Sequence, residues 1–244
     1  MKGSADRSWE LPNRPWVMRM IWSELLFAHW AVEPDLLESK LPVGLTLDRH
    51  DGKAWIGVVP FLMSDVAPRC FPAVPKLSRF LELNVRTYVT CGGKPGVWFF
   101  SLDAENPIAV RIARATFNLP YMDAKMTLAR DDESMITYRS ERTHRGEQPA
   151  LFDATYRPID QPWNARPGTL EHWLTARYCL YSADRRGNVY RGEIDHEPWR
   201  LSHASCELRR CEMTESLRLT LIGEPHLLFA HPIKVKAWAL KRCD

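Results

Sequence analysis

The sequence predicts an α+β protein built mostly from antiparallel strands, with a curved or closed sheet and a few short helices outside it. Strand-like runs recur at short spacing and are separated by turn signals, which is typical of hairpin-rich sheets. Eighteen prolines and twelve glycines favour short elements and fixed turns over long helices. The chain has 244 residues, of which 45% are hydrophobic. It can therefore bury a large core without disulfides or a structural metal.

Nine segments are predicted to be strands from their apolar, aromatic and alternating patterns. Turn signals pair several of them into hairpins: Asp51-Gly52 precedes the second, and CGGKPG separates the third from the fourth. Asp131-Asp132-Glu133 and ADRRGN separate the next two pairs. In chain order the nine segments are Val17–Trp30, Ala54–Met63, Leu81–Thr90, Val97–Leu102, Lys125–Arg130, Ser134–Arg142, Tyr178–Ser182, Val189–Ile194 and Ile233–Leu240.

Three segments are predicted to be short helices. The first begins at Pro34, because proline is favoured in the first turn, and a third begins after Thr169, a residue suited to an N-cap. The second has the clearest signal, with Asn106 as N-cap and Pro107 as the first helical residue. Apolar residues then follow at helical spacing, namely Ile108, Ile112 and Ala115.

We expect one domain over residues 1–244, with residues 1–14 as an N-terminal tail. Arg157–Gly168 is the best candidate boundary, but the aromatic-rich pattern continues on both sides of it. The N-terminus lacks the apolar segment of a signal peptide, and the longest uncharged run, Ala54–Ser64, is shorter than a membrane helix requires. The six cysteines form no C-x-x-C pair and indicate reduced thiols. These features predict a cytoplasmic protein outside the membrane.

The alternating strand LELNVRTYVT contains the most informative candidate site. One interpretation places its polar face in water, and another places it inside a barrel, where an acid, an amide, a guanidinium and a phenol would line a pocket. In the pocket interpretation, Arg86 binds a carboxylate, Glu82 acts as acid or base, and Asn84 contacts the substrate. The polar face consists of Glu82, Asn84, Arg86, Tyr88 and Thr90.

A second candidate site is LPYMDAKM, directly after the predicted second helix. Lys125 lies between Ala124 and Met126, and a lysine in apolar surroundings can become an amine nucleophile. The alternative is an ordinary solvated lysine. Tyr121 either donates a hydrogen bond to a ligand or packs in the core, and His29 in LLFAHW is interpreted as a core or pocket histidine.

Other classes of site have weaker support. His196, His203 and Cys206 cluster in the sequence, but their spacing matches neither a zinc finger nor H-E-x-x-H, so we predict no metal. No G-x-S-x-G motif supports a Ser-His-Asp triad. Neither a P-loop nor G-x-G-x-x-G occurs, so we also predict no nucleotide cofactor. The net charge of +3 indicates no dedicated nucleic-acid binder.

Long blocks of the sequence resemble the uncharacterised YqjF-like family, which is grouped by fold with acetoacetate decarboxylase. The resemblance extends from about Pro15 to Leu240. It implies a sheet closed into a barrel- or cone-like shell around a central cavity. The blocks are LLFAHW, AWIGVVPF, FLELNVRTYVT, KPGVWFFSLDA, LPYMDAKM, GTLEHWLTARYCLYS and RGEIDHEPW.

The resemblance also implies site roles, with one departure. Acetoacetate decarboxylase forms a Schiff base on one of two adjacent lysines, and Glu82 resembles its site glutamate. Here Pro120 is followed by a single lysine, and local pairing aligns Lys125 with the second lysine and Ala124 with the nucleophile. The missing pair argues against acetoacetate decarboxylation itself.

Three functions are compatible with these residues. The first is a lyase-type enzyme acting on a small carboxylate or oxo acid, with Lys125 and Glu82 as catalytic groups. The second is a small-molecule binding protein that kept the cavity and lost the Schiff-base chemistry. The third is a partner-binding protein that uses exposed aromatic residues. We expect a small-molecule ligand in either of the first two cases, and a homo-oligomer is compatible with all three.

Overall fold

The computed structural model describes residues 4–75 and 77–243, and strands dominate this part of the chain. The helices are α1 (Asp35–Glu38), α2 (Pro107–Phe117) and α3 (Leu170–Thr175). The strands are β1 (Met18–Ser23), β2 (Leu25–Val32), β3 (Thr46–Leu47), β4 (Ala54–Pro68), β5 (Phe80–Cys91), β6 (Lys94–Ala104), β7 (Tyr121–Arg130), β8 (Ile136–Arg142), β9 (Leu151–Pro158), β10 (Trp163–Asn164), β11 (Cys179–Ala183), β12 (Val189–Asp195), β13 (Arg200–Cys211), β14 (His226–Ala230), β15 (Ile233–Ala237) and β16 (Lys241–Arg242).

The strands form one strongly curved sheet that closes on itself. Twelve of them make a ring, in the order β1-β15-β12-β11-β6-β7-β8-β9-β13-β14-β2-β4, and β4 pairs back with β1. The pairings are antiparallel except where β6 meets β7 and β11. The predicted mostly antiparallel, closed sheet with few helices is confirmed.

Strand β5 positions the candidate site because it pairs with both β4 and β6 and so spans the ring. Its side chains alternate between two apolar cores, as the period of two residues requires. Leu83 and Val85 pack in one core with β7, β8 and β9. Phe80 and Tyr88 pack in the other core, which also contains residues of β1 and β15.

The predicted strands match observed ones, with one correction. Val17–Trp30 was expected as a single run, but the chain breaks at Glu24, which adopts a positive φ of 52° between β1 and β2. One apolar segment thereby makes two strands, which pair with successive parts of β4. Non-glycine residues adopt this left-handed conformation only where the surrounding structure requires it.

Helix α2 begins as the sequence predicts. The Asn106 side chain accepts hydrogen bonds from the backbone N–H groups of Ile108 and Ala109, and Pro107 is the first helical residue. The burial differs from the usual expectation for an apolar stripe, because Ile108 and Ile112 are 51% and 57% exposed. Only Val110 of this helix is buried.

Residues 4–14, expected as a tail, are in contact with the shell. The guanidinium of Arg7 is 1% exposed and forms an ion pair with Glu193 on β12. It also donates to the backbone oxygen of Ile194 at 2.7 Å, and the Trp9 indole donates to Glu193 at 2.8 Å. This segment therefore belongs to the folded body of the molecule.

No helix in residues 4–75 and 77–243 is both long and apolar enough to cross a bilayer. The six cysteines, which all lie in the described part of the chain, form no disulfide.

Candidate functional site

A cavity of about 390 Å³ lies on the side of β5 that carries Phe80 and Tyr88. Its size falls in the range of roughly 300–1,000 Å³ that is typical of small-molecule sites. Most of its wall is apolar and is supplied by β1, β2, β4, β6 and α2. The polar or ionisable residues that line it are Glu82, Asn84, Arg86, Tyr121, Thr175, Arg177 and His196.

Aromatic side chains form one wall of the cavity. Trp22 stacks on Trp199 with ring centroids 6.0 Å apart, and Phe61 meets the edge of Trp22 at 5.8 Å. Phe27 contacts Trp199 in an edge-on arrangement at 5.4 Å. Such packed aromatic groups give the cavity a large and rigid apolar surface.

Three residues of the polar face of β5 line this cavity, namely Glu82, Asn84 and Arg86. Glu82 and Asn84 are 2% and 4% exposed, and both line the cavity together with Arg86. The interpretation that places this face in water therefore does not hold for Glu82 and Asn84. The residue of β4 that pairs with Arg86 is Gly57, where a Cβ atom would lie 2.9 Å from the His29 ring. The absence of a side chain there leaves room for His29 beside Arg86.

Glu82 is a buried carboxyl group held by neutral donors. The Tyr121 hydroxyl donates to Oε2 of Glu82 at 2.7 Å, and Asn84 also forms a hydrogen bond with the carboxyl group. Burial raises the pKa of Glu82 to about 8, which outweighs the opposing effect of these hydrogen bonds. The carboxyl group is therefore mostly protonated at neutral pH and can exchange a proton with a bound molecule.

Arg86 brings an uncompensated charge to the cavity. Its guanidinium lies 5.0 Å from the centroid of the Phe27 ring and 5.8 Å from that of Tyr88. Among the described residues, no carboxylate forms an ion pair with it, and its buried Nε has no hydrogen-bond partner. A guanidinium in this state offers donors to an anion.

His29 lies behind the cavity wall and does not line it. Its Nε2 is 2.5 Å from the Tyr88 hydroxyl, and the ring is fully buried. Burial first, and then the charge of Arg86, lower the pKa of His29 well below its ordinary value. The ring is therefore neutral and supports Tyr88, which in turn lies against Arg86.

Three cavity residues were not predicted from the sequence. Thr175, Arg177 and His196 come from the end of α3 and the segments beside β11 and β12. Arg177 lies 4.9 Å from the Tyr88 ring and pairs with Asp48 at 2.5 Å, while its Nη2 is buried without a partner. The signal available in advance was that all three fall within two of the family-like blocks, GTLEHWLTARYCLYS and RGEIDHEPW.

Lys125 does not share the cavity with Glu82, contrary to the expectation for an amine nucleophile. Its neighbours Ala124 and Met126 pack in the other core, so the alternation of β7 directs Lys125 to the exposed surface opposite Glu141. No lysine in residues 4–75 and 77–243 lines the cavity.

The metal candidates are also separated, because His196 lines the cavity while His203 hydrogen-bonds Asp160.

Comparisons with known proteins place this chain in a family and a fold. The family model DUF2071, described as an uncharacterized conserved protein, matches residues 19–234. The uncharacterized protein YqjF of Bacillus subtilis (strain 168) is 40% identical over 233 residues, covering 95% of each chain.

Solved structures share the fold at low sequence identity. An acetoacetate decarboxylase-like enzyme from Sphingomonas wittichii RW1 superposes with a TM-score of 0.66 at 13% identity, covering 99% of this chain and 98% of that chain. The enduracididine biosynthesis enzyme MppR, complexed with the condensation product of pyruvate and imidazole 4-carboxaldehyde, gives 0.65 at 10% identity, covering 95% and 90%. The expected acetoacetate decarboxylase-like fold is thus confirmed.

Proposed function

This chain belongs to the DUF2071 family of uncharacterized conserved proteins, and from its cavity we propose that it binds a small carboxylic or oxo acid. The observation that carries the proposal is Arg86, a guanidinium without a carboxylate partner among the described residues, in a cavity with an otherwise mostly apolar wall. An anion there would pair with the charge of Arg86 and accept from the unpartnered Nε.

Other cavity groups support an anion with hydrogen-bonding capacity. Oδ1 of Asn84, Nη2 of Arg177 and Nε1 of Trp22 are all buried without a hydrogen-bond partner. Buried polar atoms are normally paired, so several unpaired ones on one cavity favour a polar ligand or water as their partner. The fold neighbour MppR, whose bound ligand is a condensation product of pyruvate, supports an acid of this kind.

A second candidate function is proton transfer on the bound acid, and Glu82 is the observation that favours it. With a pKa of about 8, this group is divided between acid and base in the physiological range. The ionised carboxylate would take a proton from the carbon next to a ketone and return one to the same carbon. This route uses the carboxyl group of Glu82 and requires no Schiff base.

Binding is tested by calorimetric titration with butanoate and a panel of straight-chain oxo acids. We expect Arg86→Gln to weaken binding at least tenfold, because a charged hydrogen-bonding partner is lost. The matched control is Arg139→Gln, an exposed arginine on β8 that should bind as the parent protein does. Equal affinity in the parent and Arg86→Gln proteins would overturn the assignment of Arg86.

Proton transfer is tested by NMR in D₂O, following the loss of the C–H signal next to the ketone. If Glu82 is catalytic, the parent protein accelerates this exchange and Glu82→Gln abolishes it while binding remains. Glu141→Gln, at an exposed position of β8, is the control. Binding without accelerated exchange would leave a non-catalytic binding protein as the function.

A further inference from the structure

The positions of the polar residues along β5 define how a ligand must extend. Phe80, Glu82, Asn84 and Arg86 lie on the same face of the strand, at alternate positions. At about 3.3 Å per residue, Glu82 is about 13 Å from Arg86 along the strand, and Phe80 is about 20 Å away. A three-carbon acid bound at Arg86 would leave most of this length unfilled.

The end of the cavity near Phe80 opens between α2 and the segment that precedes β5. Val74 and Leu77 on one side, and Ile108 and Ile112 on the other, line the cavity while being 39% to 57% exposed. We call these four residues the apolar mouth. They belong to two segments that meet only in the folded chain, so their convergence on one opening is not a consequence of local sequence.

The opposite end of the cavity is polar. Arg86 and Arg177 both lie against the ring of Tyr88, at 5.8 and 4.9 Å from its centroid, and Thr175 and His196 line the same cavity. The rest of the cavity lining consists mostly of apolar and aromatic side chains. Glu82 itself is mostly neutral at pH 7 and so imposes little charge on an apolar group beside it.

We propose that the ligand is an elongated amphiphile, a carboxylic acid whose apolar chain runs from Arg86 past Glu82 to the apolar mouth. This inference rests on the proposed function, because it takes Arg86 as the carboxylate site. The apolar wall would bury the chain, and the exposed apolar residues of the mouth would contact its far end. In the same arrangement, Glu82 faces a carbon several bonds away from the carboxylate.

The experiment measures affinity against chain length. Butanoate, octanoate, dodecanoate and hexadecanoate are titrated into the full-length protein, together with dodecanol as a probe that lacks the carboxylate. Each methylene group that enters the apolar cavity should tighten binding about fourfold. Affinity should stop rising once the chain passes the mouth. Arg86→Gln should weaken every acid by a similar factor and leave dodecanol unchanged.

A substitution in α2 tests where the chain runs. Ala113 lines the cavity, so Ala113→Trp should abolish the gain in affinity for the longer acids and leave butanoate binding intact. Ala115 is exposed on the same helix, and Ala115→Trp is the matched control. If Ala113→Trp does not fold, Ala109→Leu is used in its place, because it fills a smaller part of the cavity from the same helix.

The outcomes separate this inference from the function on which it rests. Butanoate binding that depends on Arg86, with no gain from longer chains, would overturn the elongated ligand and keep the carboxylate site. Affinities that rise with chain length but are as high in Arg86→Gln as in the parent protein would overturn the carboxylate site. Absence of binding for every acid and for dodecanol would overturn both.

Discussion

Glu82 is a carboxyl group kept protonated by burial and not by a neighbouring charge. Its hydrogen-bond partners, Tyr121 and Asn84, are neutral, and both favour the ionised form without compensating for the loss of water. A buried carboxyl group of this kind costs stability when it ionises. It is also the type of group that functional sites use for proton transfer.

Glu82 should make the stability of the protein depend on pH. Its pKa rises from an ordinary value of 4.5 to about 8 on folding, so the folded chain holds the proton more tightly. The contribution of this raised pKa to the free energy of unfolding is therefore complete below about pH 4.5 and is lost as the pH rises toward 8. The limiting slope is about 1.4 kcal/mol per pH unit.

We expect Glu82→Gln, which cannot ionise, to lose this dependence. Urea denaturation at several values between pH 5 and 8 measures it, as the difference between the parent and variant free energies of unfolding. As the pH rises, the free energy of unfolding of the parent protein should fall steadily relative to that of Glu82→Gln. A constant difference across the range would contradict a raised pKa.

At the scale of elements, a buried ion pair joins strands that are not neighbours. Arg142 at the end of β8 pairs with Asp103 on β6 at 2.9 Å, across the intervening β7, and also donates to Ser101. Both charged side chains are at most 2% exposed. Burial raises the pKa of Asp103 to about 6, against the attraction of Arg142.

Breaking this pair should be costly because it leaves an unpaired charge in the interior. We expect Arg142→Ala to lower the free energy of unfolding by about 3–5 kcal/mol. Arg139→Ala is the control on the same strand, since Arg139 pairs with Asp153 at the surface and should cost less than about 1 kcal/mol. If chemical denaturation shows the same loss of unfolding free energy for Arg142→Ala and Arg139→Ala, the buried pair stabilises the fold no more than the surface pair.

At the scale of the whole molecule, the shell depends on contacts far apart in sequence. The ring closes where β4 returns to β1, and residues 4–14 pack against β12 through Arg7 and Trp9. The candidate cavity lies beside this closure. The N-terminal segment and the rest of the shell should therefore unfold together.

Arg7→Ala tests that cooperation. The substitution removes the buried hydrogen bonds of Arg7 to Glu193 and Ile194 but leaves Glu193 paired with Lys94 and Arg191, each at 3.3 Å. We therefore expect the free energy of unfolding to fall by about 2 kcal/mol. Arg14→Ala, at an exposed position that donates only to the backbone oxygen of Ala239, should change the midpoint of thermal unfolding little. A negligible effect of Arg7→Ala would mean that the segment is only peripherally attached.

Much of the fold and part of the site could be predicted because the signals are local. The hairpin turns, the Asn106 cap and the alternation of LELNVRTYVT each depend on residues close in sequence. Alternation correctly grouped Glu82, Asn84 and Arg86 on one face, although it could not decide whether that face meets water or a cavity. A period of two residues gives relative orientation only.

The sequence by itself determined the class of sheet, the helix caps and the polar residues of β5. Only the tertiary structure decided that Lys125 faces outward and that Arg177 and His196 share the cavity of Arg86. It also decided that Ile108 and Ile112 lie exposed at the apolar mouth and not in the core. The physical reason is that these placements follow from closure of the sheet, which brings segments together across long stretches of chain and sets which face of each element becomes the interior.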